Sequence, residues 1–364
     1  MSIPAVLLCV ALASVCWVSC NGAEGAMRDG RALATDRPVR AALLVTLAGD
    51  HKLSDYFEWS CKTIGASSEL FDMLVFHESN KRVAELQCAP NVKMIDIGPS
   101  GLSKLIIGHI FQGFKGEQQV KDRMTEMLRD VLLHGPRYLV EYKPMLGSLL
   151  AQHLGEYSHW SYTDPDIIWG NLSDWVEVAD LQRFSYITYA KNMDAGRLFL
   201  RGQLTLHKNE AHVNNLWRNL GYLNVALVAG RIGTAHRMVE QKKSSDEIFS
   251  KNFYSCEGWY SQLVFQTNSS VKIIGRGFDD FFRHPVVLHR GRLSRCSLGG
   301  DLTQCIAGIT GANTTVPTVY SLPPPALIPA QALFNPIECK MFWLPSEVRY
   351  CIAGPVYDKE KQGQ

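Results

Sequence analysis

The sequence predicts an α/β protein built on a mostly parallel sheet with covering helices, and three observations carry that prediction. A short continuous apolar run at 41–47 (AALLVTL) is consistent with a strand buried on both faces, and 71–78 (FDMLVFHE) and 92–98 (VKMIDIG) read as a second and third strand. Helical stretches at about 53–66 and 80–88 separate them, and this alternation is the pattern of crossover connections. Hydrophobic residues are 46% and charged residues 20% of 364, which supplies an extensive core and excludes wholesale disorder.

Taken in order, residues 3–20 (IPAVLLCVALASVCWVSC) are apolar and uncharged. They read as a secretory signal with cleavage after Cys20. The run just reaches spanning length, so an uncleaved anchor is the alternative. Arg28, Arg31, Arg37 and Arg40 follow the run and no Lys or Arg precedes it, an asymmetry that opposes an anchor with a lumenal body. Membrane association is therefore expected only if this segment stays uncleaved. Residues 21–40 read as linker, 41–292 as the catalytic-type domain, and 293–364 as a Cys- and Pro-rich extension stapled by disulfides.

Of ten cysteines, three lie in the leader; Cys61, Cys88, Cys256, Cys296, Cys305, Cys339 and Cys351 follow. None forms a C-x-x-C pair, which excludes a zinc ribbon, and an odd number predicts a free thiol or one paired between chains. Sequons at Asn171, Asn268 and Asn313 fit a glycoprotein of the secretory-pathway lumen, Golgi or ER, or a secreted one. A net charge of +2, without basic clusters, gives no footprint for nucleic acid.

Past the third strand, Met124, Met127, Leu128, Val131 and Leu132 recur at helical spacing and predict a core-facing helix over 120–134. A further helix is expected at about 144–154, then a strand at 159–163 ending at Asp164, and a late strand at 284–290.

Asp164-Pro165-Asp166 is the principal candidate site. Two carboxylates two residues apart project to one side of an extended backbone, and Pro165 biases Asp164 toward that conformation. A bare Asp-x-Asp occurs about once by chance in such a length. This one follows an aromatic-apolar strand and precedes Ile167-Ile168-Trp169, walls that a solvated turn seldom has. Two carboxylates plus phosphate oxygens suit Mn²⁺ or Mg²⁺. Lys143, before Pro144 at an expected helix start, reads either as a diphosphate or acceptor contact or as a surface lysine at a turn. Trp169 offers a face to a donor base or sugar; core packing is the other reading for it and for Trp160. His207, in LTLHKN, is a weaker candidate for an acceptor pocket.

The segments EYKPMLGSLL (141–150) and HWSYTDPDIIWGNLSDW (159–175) resemble a glycosyltransferase-like family of polysaccharide biosynthesis with the type A glycosyltransferase fold. Tyr142, Lys143, Pro144, Gly147, Trp160, Asp164, Asp166, Ile167, Ile168, Trp169 and Gly170 carry the likeness, and GQLTLHKN (202–209) is similar to a later block. The spacing beyond 210 is looser, and the extension from 293 is outside the pattern. The resemblance implies a Rossmann-like sheet and metal-dependent transfer from a nucleotide-sugar donor to a glycan or glycoprotein acceptor. It implies Lys143, Asp164, Asp166 and Trp169 as donor contacts, and His289 as a third metal ligand beside Asp164 and Asp166, with His284 the fallback. It places Glu257, in SCEGWY, where an acidic residue could act as general base, against the plainer reading of an exposed loop residue beside a disulfide. Asp279 is the second choice of base, with Asp280 next to it. A non-catalytic carbohydrate-binding protein on the same fold is the alternative. A phosphoester hydrolase would need a second acidic cluster, and Ser-His-Asp hydrolysis a G-x-S-x-G; neither is present in the sequence.

Overall fold

The computed structural model describes residues 39–49, 53, 55–114, 116, 118–189, 197–252, 256–267 and 269–274, and the backbone of five short strand segments beyond them. The chain runs through β1 (Ala41–Leu47), α1 (Asp55–Thr63), β2 (Phe71–His77), α2 (Lys81–Ala84), β3 (Val92–Asp96), α3 (Gly101–Ile110) and α4 (Gln118–His134). There follow α5 (Leu146–Leu149), β4 (His159–Tyr162), α6 (Val178–Arg183), β5 (Tyr186–Tyr189), β6 (Arg197–Leu198), β7 (Thr205–Lys208) and α7 (Ala211–Asn214). The long α8 (Val225–Glu240), then α9 (Ser245–Asn252), α10 (Cys256–Gln266) and β8 (Val271–Ile274), complete the main body.

Seven strands form one mixed α/β sheet in the order β3-β2-β1-β4-β7-β5-β8. All neighbours are parallel except β7, which runs against both β4 and β5. The apolar runs behave as strands covered on both faces because their side chains alternate between two cores. Ala42, Leu44, Leu74 and Phe76 face one with α3, α4, α8 and α10. Ala41, Leu43, Val45, Met73 and Val75 face the other with α1 and the segment around Trp169.

The α4 stripe lies where the spacing puts it: Leu128, Val131 and Leu132 are buried, and Met124 and Met127 pack partly buried against the same core. The helix expected at 144–154 is broken instead. A 3-10 segment spans Pro136–Met145, α5 is four residues long, and a second 3-10 turn spans Ala151–His153. Pro144 removes a donor, and Gly147 is pressed against Trp160, where a Cβ would come within 2.3 Å of the indole. The α3 helix lies in a stretch to which the sequence reading assigns no element. Its near-continuous apolar content hides the helical period, although Leu102, Ile106, Ile107 and Ile110 share one buried side.

Arg40, read as linker, belongs to the folded body. Its guanidinium is paired with Asp72 in β2, and Tyr157 also donates to that carboxylate at 2.8 Å. Cys61 and Cys88 form a disulfide, and Cys256 is a buried free thiol. The leader, Asn268 and Asn313, and the pairing of the later cysteines lie outside the described residues. No helix among those residues is long and apolar enough to cross a membrane.

Candidate active site at the end of β4

The strand order reverses between β1 and β4. The chain builds outward from β1 through β2 to β3, then returns to place β4 on the other side of β1. Such a switch point, at the carboxyl ends of β1 and β4, is where open α/β sheets bind ligands. Thr163 keeps the backbone tied to the sheet through its amide, 3.1 Å from the Leu44 carbonyl. Asp164-Pro165-Asp166 then leaves the edge. The acidic pair therefore stands just past the end of β4, beside this switch point.

Three distant parts of the chain converge on Asp164. Lys143 comes from the 3-10 segment before α5, and its Nζ donates to Oδ1 of Asp164 at 2.5 Å and to the Gly202 carbonyl at 2.7 Å. Gly202 comes from the loop that enters β7. Because β7 is antiparallel, its start lies beside the end of β4, and the Thr205 amide bonds Ser161 Oγ at 3.2 Å. Glu257 comes from the first turn of α10. The Leu200 amide donates to Ser261 Oγ at 2.8 Å, and that hydroxyl donates to the Glu257 carbonyl, so the loop and helix are joined in register. A Cβ on Gly202 would lie 2.1 Å from Glu257 Oε1 and 3.3 Å from Lys143 Nζ. Glycine thus lets the loop approach these side chains closely.

Burial shapes the charges. Lys143 is 9% exposed. Desolvation opposes its charge, but Asp164 and then Glu257 outweigh it, and its pKa is raised. Glu257 is raised as well: burial is the largest cause, Lys143 opposes it, and Asp164 adds to it. The Asp166 side chain reaches solvent, yet the crowded loop around it and the neighbouring Asp164 charge raise its pKa. Cys256, beside Glu257, is pushed well up by burial, then by the charge of Glu141, and its thiol contacts the Val140 carbonyl. Behind Lys143, Glu141 and Arg231 form a buried ion pair at 2.8 Å that pins the 3-10 segment to α8.

Several expected residues take other places. Lys143 is buried in the site and is not a surface lysine at a turn. Glu257 opens a helix beside a free thiol, so the exposed loop next to a disulfide does not occur. Trp169 offers no face to a donor: it is 1% exposed, and its indole nitrogen donates to Ser60 Oγ at 3.1 Å. The apolar walls that flank the acidic pair are core, because Ile167 and Trp169 seal the face covered by α1. His207 is fully buried and stacked on Trp160 at 4.1 Å, which removes it from any acceptor pocket. Asp279, Asp280 and His284 lie outside the described residues; His289 ends a described strand, Val286–His289, but its side chain does not belong to them.

Among the described residues, no group of three or more His, Cys, Asp or Glu is arranged to hold a metal ion. Two surface depressions, one lined by Ser185, Tyr186 and Ser270 and the other by Arg40, Asp72 and Lys93, lie at the opposite edge of the sheet. They have no part in the convergence at Asp164. Gly202 is the residue that sequence reasoning missed. The block GQLTLHKN offers its histidine as the chemical candidate, and a glycine preceding an antiparallel strand gives no local sign of the carboxylate it faces.

A family model described as a family of unknown function, DUF6625, matches residues 116–251. No curated protein matches. Among solved structures, the chain is similar to a mannosyltransferase from Pyrobaculum calidifontis in complex with GDP-Man and Mn²⁺, at 12% identity and TM-score 0.28, covering 56% of this chain and 53% of that one. The match thus spans about half the mannosyltransferase's length. It is also similar to a 4-diphosphocytidyl-2C-methyl-D-erythritol synthase from Anaerococcus prevotii, at 8% identity and TM-score 0.27, covering 66% and 88%. A third is the PaToxG glycosyltransferase, at 11% identity and TM-score 0.27, covering 64% and 71%.

Proposed function

We propose that this chain is a nucleotide-sugar-dependent glycosyltransferase of the secretory-pathway lumen that uses Mn²⁺ or Mg²⁺. The observation that carries the reading is the meeting of Lys143, Asp164 and Glu257 beside Asp166 at the switch point of the sheet. The donor is a nucleotide sugar and the acceptor a glycan or glycoprotein.

The residues fit a hard divalent cation. Asp164 and Asp166 offer carboxylate oxygens, and Lys143 engages Oδ1 of Asp164, leaving Oδ2 for another partner. Desolvation and then the Asp164 charge raise the pKa of Asp166, and a cation beside the two carboxylates would offset the second of these. His289 remains the candidate third ligand. Once bound, the cation supplies neutralisation of the charge that develops on the leaving diphosphate. Lys143 adds a fixed positive charge on the same side. Glu257, anchored over Gly202, is the general base for the acceptor hydroxyl in an inverting course, and burial keeps its proton affinity above that of an ordinary glutamate. Asp279 is the alternative base.

The direct test is release of nucleoside diphosphate from a panel of sugar nucleotides in the presence of Mn²⁺. Asp166→Ala should abolish it; full activity in that variant ends the reading. Glycan binding by calorimetry with no nucleotide or metal requirement would instead favour a carbohydrate-binding protein on this scaffold.

A further inference from the structure

Lys143 engages the carboxylate that the cation needs. Its ammonium has three N–H donors. One goes to Asp164 Oδ1 at 2.5 Å and one to the Gly202 carbonyl at 2.7 Å, while Glu257 packs against the same glycine. The side chain is 11% exposed, and its Nζ lies 5.8 Å from the centre of the Tyr162 ring. A buried ammonium held by a carboxylate, a carbonyl and an aromatic face is itself a seated cation. A divalent ion joining Asp164 would meet that charge at close range, and the repulsion there is strong. A diphosphate arriving alone would have to draw Lys143 off Asp164, leaving that carboxylate partly buried without a counter-charge. When both arrive, every charge has a partner.

We infer that Lys143 acts as an internal cation on Asp164, so that a divalent metal and a nucleoside diphosphate bind cooperatively, the diphosphate taking the ammonium as the metal takes the carboxylate. This rests on the function proposed above. It adds a coupling between two ligands and assigns it to one side chain. The coupling is reciprocal: whatever factor the diphosphate adds to metal affinity, the metal adds to diphosphate affinity.

The test is Mn²⁺ binding to the full chain, read from loss of the free-ion electron paramagnetic resonance signal, with and without uridine or guanosine diphosphate. The wild type should bind Mn²⁺ weakly alone and at least about tenfold more tightly with one of the diphosphates. In Lys143→Met, Mn²⁺ alone should bind about tenfold more tightly than in the wild type, and the gain from the diphosphate should shrink to what its own oxygens contribute to the metal. In Asp164→Asn, which frees the ammonium, the diphosphate without metal should bind more tightly than in the wild type by calorimetry. This arm decides the matter if Lys143→Met fails to fold. Wild-type Mn²⁺ affinity indifferent to both diphosphates, or unchanged Mn²⁺ affinity in a folded Lys143→Met, overturns the coupling while leaving the transferase reading intact. No binding of Mn²⁺ or diphosphate to the wild type in any combination overturns both.

Discussion

Gly202 presents a bare Cα to Glu257, and a methyl group there would stand 2.1 Å from the glutamate's Oε1. The contact joins the loop entering β7 to the first turn of α10. With the Leu200 amide bonded to Ser261 Oγ alongside, it keeps a carboxylate beside the Lys143–Asp164 pair.

Gly202→Ala should therefore cost activity more than stability. The atoms in the way, Glu257 Oε1 and Lys143 Nζ, are ends of flexible side chains that can swing aside. The expected loss of stability is about 1 kcal/mol or less. Nucleotide release should fall roughly tenfold to a hundredfold, because displacement of about 1 Å at a reacting group costs that much. A variant with wild-type kcat and KM would remove Glu257 from the site.

Gly147→Ala should do the reverse. Its Cβ would meet the ring of Trp160, which is fully buried and fixed by a 2.6 Å hydrogen bond to Asn214. The ring cannot yield without disturbing His207, which is stacked on it. Overpacking of this kind costs about 1–3 kcal/mol, readable as a lowered urea midpoint at unchanged slope.

Acid should destabilise the protein beginning near the ordinary histidine range. Burial lowers His207 to about 3, and burial, followed by the charge of Lys208, lowers His159 to about 4. In both cases the unfolded chain binds the proton more readily than the native state. Stability therefore rises with pH across the interval from these values to the unfolded pKa of about 6.5. It is fully present above that pKa and lost as pH falls toward 3. His207→Phe keeps the ring stack and removes the titration, so its stability between pH 4 and 6 should depend on pH distinctly less. An unchanged acid slope would show that the imidazole is protonated in the native state.

Opening the Cys61–Cys88 bridge should lower stability by about 2–4 kcal/mol, since it closes a loop of 27 positions that holds β2 and α2. Reduction with dithiothreitol and the double substitution Cys61→Ala, Cys88→Ala should agree in urea midpoint. Equal midpoints for oxidised and reduced protein would make the bridge energetically idle.

The positions of β1 and β2 were legible because apolar runs bounded by turn residues state element type, and β3 followed from the alternation although, at the sheet edge, it has no fully buried residue. The place of Asp164 and Asp166 just past β4 was legible for the same reason. The roles of their neighbours were not. Lys143 reads equally as a phosphate or acceptor contact and as a turn lysine, because its partners lie 21 and 59 positions away. Trp169 reads either as core or as a ligand platform because the two have the same local pattern; its burial and its bond to Ser60, 109 positions earlier, decide for core.

By itself, then, the amino-acid sequence determined where chains of apolar residues become strands, and that two aspartates stand at the lip of one of them. These follow from periodicity and backbone preference within a few residues. Only the tertiary structure decided that β4 lies beside β1, that antiparallel β7 returns Gly202 to the same edge, and that Lys143 and Glu257 meet there. Strand order is set by which buried faces cover one another across the whole sheet, and no local window of sequence contains that information.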